Sequence, residues 1–131
     1  MTYIIILNYN GWKDTIECHN SLSCIQEDCK IVLIDNKSTD DSIDKLEKWI
    51  QNQKELSSNL IFIKSSENNG YAAGNNIGIK YVESQEDAQF IWILNNDTLI
   101  QEDTFKNLIN CYKNLENENI ALLGSKILNE D

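Results

Sequence analysis

Four clusters of small polar and acidic residues are the parts of this sequence whose side chains could do chemistry. They occupy residues 8–11, 35–40, 67–76 and 95–98, and each closely follows a short apolar run. Their amides, hydroxyls and carboxylates can bind a polar ligand, and a carboxylate can hold a divalent cation. Any one loop of Asn, Asp and Gly is more simply explained as a turn. Four such loops at one edge of a sheet favour a binding site.

The apolar runs predict the strands that must position these clusters. They lie at residues 3–7, 31–34, 60–63 and 90–94. Their continuous Ile, Val and aromatic content is typical of strands covered on both faces, as in a parallel sheet. A further short strand is expected at residues 121–124.

Segments with helical spacing separate the runs. The apolar residues that carry this spacing are Trp12, Ile16, Ile43, Leu46, Ile50, Ala73, Ile77, Tyr81, Phe105, Leu108, Ile109 and Tyr112. Residues 38–40 are natural N-cap residues for the second helix. The alternation predicts an α/β fold, a mostly parallel sheet flanked by helices, in a single domain over residues 1–131.

In such a sheet ligands bind outside the carboxyl ends of the strands, where the polar clusters fall. Gly70, Gly74 and Gly78 lie beside the start of the third helix. Glycine inside a helix costs up to about 1 kcal/mol relative to Ala. We therefore expect these glycines to let a ligand or a neighbouring backbone approach closely.

Several common types of site are absent from the sequence. Neither a Gly-x-Gly-x-x-Gly after the first run nor a Gly-x-x-x-x-Gly-Lys-Ser/Thr occurs, which excludes dinucleotide binding and P-loop chemistry. A Gly-x-Ser-x-Gly elbow is also absent, and the single histidine, His19, falls on the first helix, which excludes a Ser-His-Asp hydrolase. A receiver-type signalling domain would need acidic residues after the first strand and an Asp after the third, where Asn8 and Lys64 stand.

The charge balance excludes other partners. The 131 residues include 21 acidic and 11 basic side chains, none of them arginine, for a net charge of −10. This argues against binding of nucleic acid or of an anionic membrane surface. No apolar run approaches the roughly 18 residues of a transmembrane segment, and the N-terminus has no signal-peptide pattern. We therefore expect a cytoplasmic protein with reduced cysteines and no zinc site.

In their order and spacing, the loops resemble the motifs of the inverting family-2 glycosyltransferases, which have the GT-A nucleotide-sugar-binding fold. Residues 4–10 are similar to the family's first strand and Tyr-Asn turn, and residues 32–42 to its strand ending in Asp-x-x-Ser-x-Asp. Residues 68–78 resemble its Asn-x-Gly…Asn-x-Gly helix start. Residues 93–97, Ile-Leu-Asn-Asn-Asp, occupy the place of its Asp-x-Asp metal motif. The resemblance spans about residues 3–100.

The resemblance implies a nucleoside-diphosphate sugar, with dTDP or UDP, as donor and a saccharide or lipid-linked saccharide as acceptor. Asp35 would accept a hydrogen bond from the base, and Asp97 would hold Mg²⁺ or Mn²⁺ on the diphosphate. The other implied positions are Asn8, Tyr9 and Asn10 for the nucleobase, Asn36 and Ser38 for the base and ribose, and Asn68, Gly70, Asn76, Asn95 and Asn96 for the nucleotide and sugar.

Two positions depart from the family pattern. Asn95 stands where the first Asp of the metal motif is usual, and Asn75 where an Arg is often found. Because the protein is already strongly negative, a divalent cation would help it to bind a diphosphate. The single carboxylate of Asp97 suffices when phosphate oxygens and water complete the shell. The Asn-Asn-Asp motif is most similar to the rhamnosyltransferase-like branch, whose members use dTDP-rhamnose to build polysaccharide.

Family members with a complete catalytic unit are longer, and their general base lies downstream of the metal motif. We therefore expect the catalytic base beyond Asp131 and negligible transferase activity for this chain alone. We also expect self-association through the surface that the other half would cover, and peripheral attachment to the inner face of the membrane in a full-length form. Glu102 and Asp103 are expected to favour the start of the fourth helix. A non-catalytic scaffold or partner-binding domain is the alternative.

Overall fold

The computed structural model of the chain describes residues 1–22, 29–53, 59–115 and 120–124, so that Cys24 and Asp131 lie outside the described residues. Strands and helices alternate as the sequence predicts. They are β1 (Thr2–Asn8), α1 (Trp12–Ser21), β2 (Cys29–Asp35), α2 (Ser42–Asn52), β3 (Leu60–Lys64), α3 (Tyr71–Glu83), β4 (Phe90–Asn95) and α4 (Thr104–Asn114). None of the helices in these ranges is long and apolar enough to cross a bilayer.

The four strands form one parallel sheet in the order β3-β2-β1-β4. β1 lies between β2 and β4, with Asn8 opposite Asp35 on one side and Leu7 opposite Asn95 on the other. The chain moves outward from β1 through β2 to β3, and α3 then returns it across the sheet to β4. The strand order therefore reverses beside β1, and ligands bind at the carboxyl ends of the strands at such a reversal.

The central strand β1 is buried at all seven positions. Its side chains alternate between the two faces because a strand has a two-residue period. Ile4 and Ile6 belong to a core cluster with Leu46 of α2, and Ile5 and Leu7 belong to a second cluster with Val82 of α3. β1 is thus covered on both faces, as predicted, and gives the loops at its carboxyl end a rigid support.

Strand β4 departs from that prediction, because one of its faces is uncovered in the part of the chain described. Ile91 and Ile93 are 41% and 44% exposed, whereas Trp92 on the opposite face stacks on Phe105 of α4 with 6.0 Å between ring centroids. Ile91 and Ile93 border an apolar groove of about 450 Å³, which α4 and residues 120–123 also line. Self-association through this surface stays a prediction.

Two local predictions are wrong. Residues 121–124 do not form a strand. Leu122 is 91% exposed, and the segment has no ladder partner among the described strands, without which a strand is not stable. Helix α2 begins later than residues 38–40 indicate, because Asp41 holds the N-cap position and the Asp40 carboxylate accepts the N–H of Ser42 at 2.9 Å.

Candidate functional site

The loops that follow the four strands meet at the carboxyl end of the sheet, and we call them together the rim: residues 8–11, 35–41, 65–71 and 95–98. Hydrogen bonds join these loops in a closed circuit. Its links run from Asn10 Nδ2 to Thr39 Oγ1 at 3.1 Å, from Asn36 Nδ2 to Asn68 Oδ1 at 3.0 Å, from Tyr71 Oη to Asn95 Oδ1 at 2.6 Å, and from Asn96 Nδ2 to the Gly11 carbonyl at 3.4 Å. The four polar clusters therefore converge, as the sequence predicts.

Asp35 lies at the base of the rim and has no exposed surface. Its Oδ2 accepts hydrogen bonds from Asn8 Nδ2 at 2.7 Å and from Ser38 Oγ at 2.6 Å, and its Oδ1 accepts the N–H of Ser38 at 2.8 Å. A buried carboxylate needs such bonds to offset its lost hydration, and hydrogen bonds to a charged group are roughly twice as strong as neutral ones. Asp35 thus holds the loop after β2 against the end of β1.

Asn8 is equally enclosed and links Asp35 to α1. Because its amide nitrogen points toward Asp35, its Oδ1 points toward α1, where it accepts a hydrogen bond from Thr15 Oγ1 at 2.8 Å. Asn8 and Asp35 therefore lie beneath the rim surface. A direct hydrogen bond from a nucleobase to Asp35 stays a prediction, and it requires the enclosed carboxylate to become accessible from the rim.

Two rim residues other than glycine have a left-handed backbone, Asn10 with φ 53° and Lys37 with φ 58°. Asn adopts this conformation more readily than most residues, and Asn10 Oδ1 accepts the N–H of Thr39 at 2.8 Å and that of Asp40 at 3.3 Å. For Lys37 the same conformation costs on the order of 1 kcal/mol. The hydrogen bonds around the neighbouring buried carboxylate hold the loop in this shape.

Most of the implied binding residues are open to solvent at or near the rim. The exposed ones are Tyr9, Asn10, Asn68, Gly70, Asn76, Asn95 and Asp97, and the half-buried ones are Ser38 and Asn96. Asn36 is only 3% exposed, and its Oδ1 is enclosed without a hydrogen-bond partner. Buried polar atoms are ordinarily paired, so the space beside this oxygen is one where a donor is expected. Asn76 lies further along α3, outside the circuit.

The glycines of α3 bring the start of the helix down onto the sheet. A Cβ at Gly74 would lie 2.6 Å from Leu7 Cδ1, and one at Gly78 would lie 2.9 Å from Ile34 Cδ1. Their close neighbours are thus strand side chains and, at Gly74, also Asn36 Cγ at 3.2 Å. Gly70 is the N-cap residue with φ 90°, and no side chain caps the helix. The first N–H groups of a helix favour an anion such as phosphate.

The loop after β4 carries the exposed Asp97 and rests on Cys18 of α1. The buried thiol donates to the Asn95 carbonyl at 3.5 Å. Burial raises the pKa of Cys18 to about 12; the backbone N–H of Thr98 opposes this rise, and the negative charge of Asp97 adds to it. Cys18 is therefore a neutral thiol that packs beneath the loop.

The residues present fit a divalent cation that binds jointly with a diphosphate. In the part of the chain that the structure describes, no group of three or more His, Cys, Asp or Glu side chains converges as a site made of protein ligands alone would need. Asp97 instead offers one exposed carboxylate, two residues after Asn95 in the sequence. Mg²⁺ is commonly held by one or two carboxylates together with phosphate oxygens and water.

Sequence reasoning missed two residues that connect the rim. Tyr71 falls inside the Asn-x-Gly…Asn-x-Gly motif, but no sequence signal marks its hydroxyl as a link to Asn95. Thr15 is fully buried on α1, three residues before Cys18 and seven before Leu22. A polar residue at a position of the apolar helical stripe is a signal that could have identified it. His19 lies on α1, as predicted, and is half-buried there.

Comparisons with known proteins identify related sequences. The family model described as Glycosyl transferase family 2 matches residues 3–123. The low-salt glycan biosynthesis hexosyltransferase Agl10 of Haloferax volcanii is 27% identical over 128 residues, which are 98% of this chain and 37% of that protein. The minor teichoic acid biosynthesis protein GgaB of Bacillus subtilis is 30% identical over 92 residues, which are 70% of this chain and 9% of that protein. The chain thus spans less than half the length of either relative.

Solved structures share the fold. Crystal structures of S. aureus TarS 1–349, alone and in complex with UDP-GlcNAc, have TM-scores of 0.67 at 23% and 22% identity, and they match 88% of this chain and 33% and 32% of theirs. The mannosyltransferase PcManGT from Pyrobaculum calidifontis, in complex with GDP-Man and Mn²⁺, has a TM-score of 0.69 at 19% identity, over 85% of this chain and 32% of that one. The parallel sheet with alternating helices is therefore a GT-A-like fold.

Proposed function

The chain belongs to glycosyl transferase family 2, and from that premise we propose that its rim binds the nucleoside diphosphate of a sugar donor together with a divalent cation. The observation that carries the proposal is the closed hydrogen-bonded circuit. It brings four polar loops, the uncapped start of α3 and the Asp97 carboxylate to one end of the sheet. A polar, anionic ligand that brings its own cation matches this set of groups.

The nucleobase end of the ligand lies over the loops after β1 and β2 in this proposal. Tyr9 is 48% exposed and offers an aromatic face on which a base can stack. Asn10 and Ser38 supply amide and hydroxyl groups beside it. Asn8 and Asp35 act from beneath, because their hydrogen bonds hold both loops in place. Discrimination between bases then depends on which of these polar groups meets the edge of the base.

The ribose and diphosphate extend toward α3 and β4. Asn36 Oδ1, which is enclosed without a partner, would accept a hydrogen bond from a ribose hydroxyl that reaches it. Asn68 and Gly70 lie at the start of α3, where backbone N–H groups favour phosphate oxygens. Asp97 would hold Mg²⁺ or Mn²⁺, and the chemistry that this ion supplies when bound is neutralisation of the leaving diphosphate. A net charge of −10 makes such neutralisation important for binding.

For the reaction, we propose inverting transfer to a saccharide or lipid-linked saccharide acceptor. The acceptor oxygen attacks the anomeric carbon on the face opposite the diphosphate, and its proton passes to a general base. The chain spans about a third of the matched solved chains, and we assign none of its residues to that base. We therefore expect negligible transfer by these 131 residues alone.

The identity of the donor sugar is a separate and more specific question. The resemblance of the Asn95-Asn96-Asp97 motif supports dTDP-rhamnose, whereas one relative is a hexosyltransferase, and solved neighbours hold UDP-GlcNAc and GDP-Man. These three nucleotide sugars, tested side by side under one set of conditions, rank the candidates. An affinity for dTDP-rhamnose below that for both others would contradict the rhamnosyl assignment.

Calorimetry tests the binding proposal. The purified chain is titrated with UDP, GDP and dTDP, each with Mn²⁺, with Mg²⁺ and with EDTA. We expect one nucleotide to bind more tightly when the metal is present, and Asp97→Asn to lose that gain because the exposed carboxylate is its source. A non-catalytic scaffold has no reason to bind any of the three. Absence of binding at millimolar nucleotide would refute the proposal and favour that alternative.

A further inference from the structure

Thr15 lies at the centre of a buried row of hydrogen-bonded polar side chains that runs from the end of β2 to the end of β4. Asn8 Nδ2 donates to Asp35 at 2.7 Å, Thr15 Oγ1 donates to Asn8 Oδ1 at 2.8 Å, and Asn96 Nδ2 donates to Thr15 Oγ1 at 3.1 Å. Thr15, Asn8 and Asp35 have no exposed surface, and Asn96 is half-buried at the rim. This buried row of side chains is a second connection between the loops, beneath the circuit described above.

The direction of the hydrogen bonds from Asp35 to Asn96 follows from the negative charge of the Asp35 carboxylate at one end of the row. The Asp35 carboxylate can only accept, so Asn8 must turn its amide nitrogen toward it and its oxygen toward α1. That oxygen requires a donor, which the Thr15 hydroxyl supplies. The remaining lone pairs of Thr15 Oγ then accept from Asn96, whose Oδ1 is left for other partners. The carboxylate beneath the β2 loop therefore orients the amide that precedes Asp97.

We propose that Thr15 is a positioning residue that couples the nucleobase side of the rim to the Asp97 side. The inference rests on the proposed function, since it assigns Asp35 and Asn96, the two ends of this row of side chains, to two parts of one ligand. A residue that only filled the core between α1 and β1 would need no hydroxyl, and Val has the same shape without one. The Gly11 carbonyl lies 3.0 Å from Thr15 Oγ1 as an alternative acceptor for its single hydrogen, which places the loop after β1 at the same junction.

The proposal predicts which part of nucleotide affinity depends on Thr15. In Thr15→Val, Asn8 keeps its bond to Asp35, and Asn10 keeps its bonds to Ser38 and Thr39. Asn96 loses the shorter of its two contacts and keeps only the Gly11 carbonyl at 3.4 Å. The variant should therefore bind nucleotide in EDTA much as the parent does, while the gain on adding Mn²⁺ falls.

The measurement is the ratio of the Kd of the tightest-binding nucleoside diphosphate in EDTA to its Kd in Mn²⁺. We expect Thr15→Val to lower this ratio about fivefold, which is the value of one net hydrogen bond, and Thr15→Ser to restore it. Thr2→Val is the matched control, because Thr2 is also buried but lies roughly 20 Å away at the other end of β1. It should leave the ratio unchanged.

Asn96→Ala cuts the same link from the rim side and does not disturb the core, so it tests the coupling even if Thr15→Val folds poorly. The double variant Thr15→Val/Asn96→Ala should lower the ratio no further than Asn96→Ala alone, because Asn96→Ala already removes the bond to Thr15 along with the contact to the Gly11 carbonyl. Additive effects of the two substitutions would overturn the coupling. So would a Thr15→Val ratio equal to that of Thr2→Val.

Side-chain amide signals in ¹H–¹⁵N spectra provide a readout that needs neither metal nor nucleotide. In Thr15→Val the Asn96 amide signals should shift and their hydrogens should exchange faster with solvent, and Thr15→Ser should reverse both effects. Unchanged Asn96 signals would overturn the inference. If the parent chain binds no nucleotide, the proposed function fails and the coupling role fails with it. If the parent binds but the ratio in Thr15→Val is unchanged, only the role of Thr15 is refuted.

Discussion

Replacing the Asp35 carboxylate with an amide of the same shape tests the buried polar base of the rim. Asp35→Asn keeps one acceptor oxygen and turns the other into a donor. The parent accepts two bonds at Oδ2, from Asn8 and Ser38, and one at Oδ1, from the Ser38 N–H. In either orientation the new amide nitrogen faces a donor, which is Asn8 Nδ2 on one side or the Ser38 N–H on the other. A buried donor left without a partner costs about 1–3 kcal/mol, and the surviving bonds lose their charge assistance.

We therefore expect Asp35→Asn to lower the free energy of unfolding by about 2–4 kcal/mol. Urea denaturation followed by circular dichroism measures this as a shift of the midpoint at constant slope. Asp97→Asn is the matched control, because Asp97 is exposed on the rim, and it should change stability by less than about 0.5 kcal/mol. If Asp35→Asn lowered the free energy of unfolding as little as the Asp97→Asn control, the view that the Asp35 carboxylate organises the two loops would be refuted.

Three further predictions concern the helices. Gly74→Ala should destabilise the chain by about 1–3 kcal/mol although Ala is the better helix former, because its Cβ would lie 2.6 Å from Leu7; a gain in thermal stability would contradict the close packing. Burial lowers the pKa of His19 below its usual 6.5, with a smaller opposing effect from a neighbouring amide. Stability should therefore be lost as the pH falls from 6.5 toward the folded pKa, because the unfolded chain gains a proton there, and His19→Gln should flatten this part of the urea-midpoint profile. Maleimide labelling at pH 7.5, read by mass spectrometry, should modify the exposed Cys111 rapidly, and Cys18, with its pKa of about 12, only on unfolding.

The order of the elements and the position of the rim could be predicted from local patterns. Each strand is a short apolar run, and the polar residues follow directly in sequence, so the parallel topology alone brings them to one edge. The register that places Asn8 opposite Asp35 could not be read locally, because it is set by packing on both faces of the sheet. For this reason the burial of both side chains beneath the rim became evident only in three dimensions.

The contacts that close the rim depend on residues far apart in sequence. Asn96 and Thr15 are separated by 81 positions, and Tyr71 and Asn95 by 24. No local pattern encodes such a pairing, although a polar residue on an apolar helical stripe marks Thr15. The wrongly predicted strand at residues 121–124 has a similar cause. Its apolar residues suit a strand, but a strand also needs a neighbour, and the described strands provide none.

Mapping the binding site by NMR tests most directly whether the nucleotide binds at the rim. The chain labelled with ¹⁵N is titrated with UDP, GDP and dTDP in the presence of Mg²⁺, and the backbone amide signals that move are assigned. We predict shifts in the loops at residues 8–11, 35–41, 65–71 and 95–98. Shifts confined to the groove beside Ile91 and Ile93, or no shifts with any of the three nucleotides, would contradict nucleotide binding at the rim.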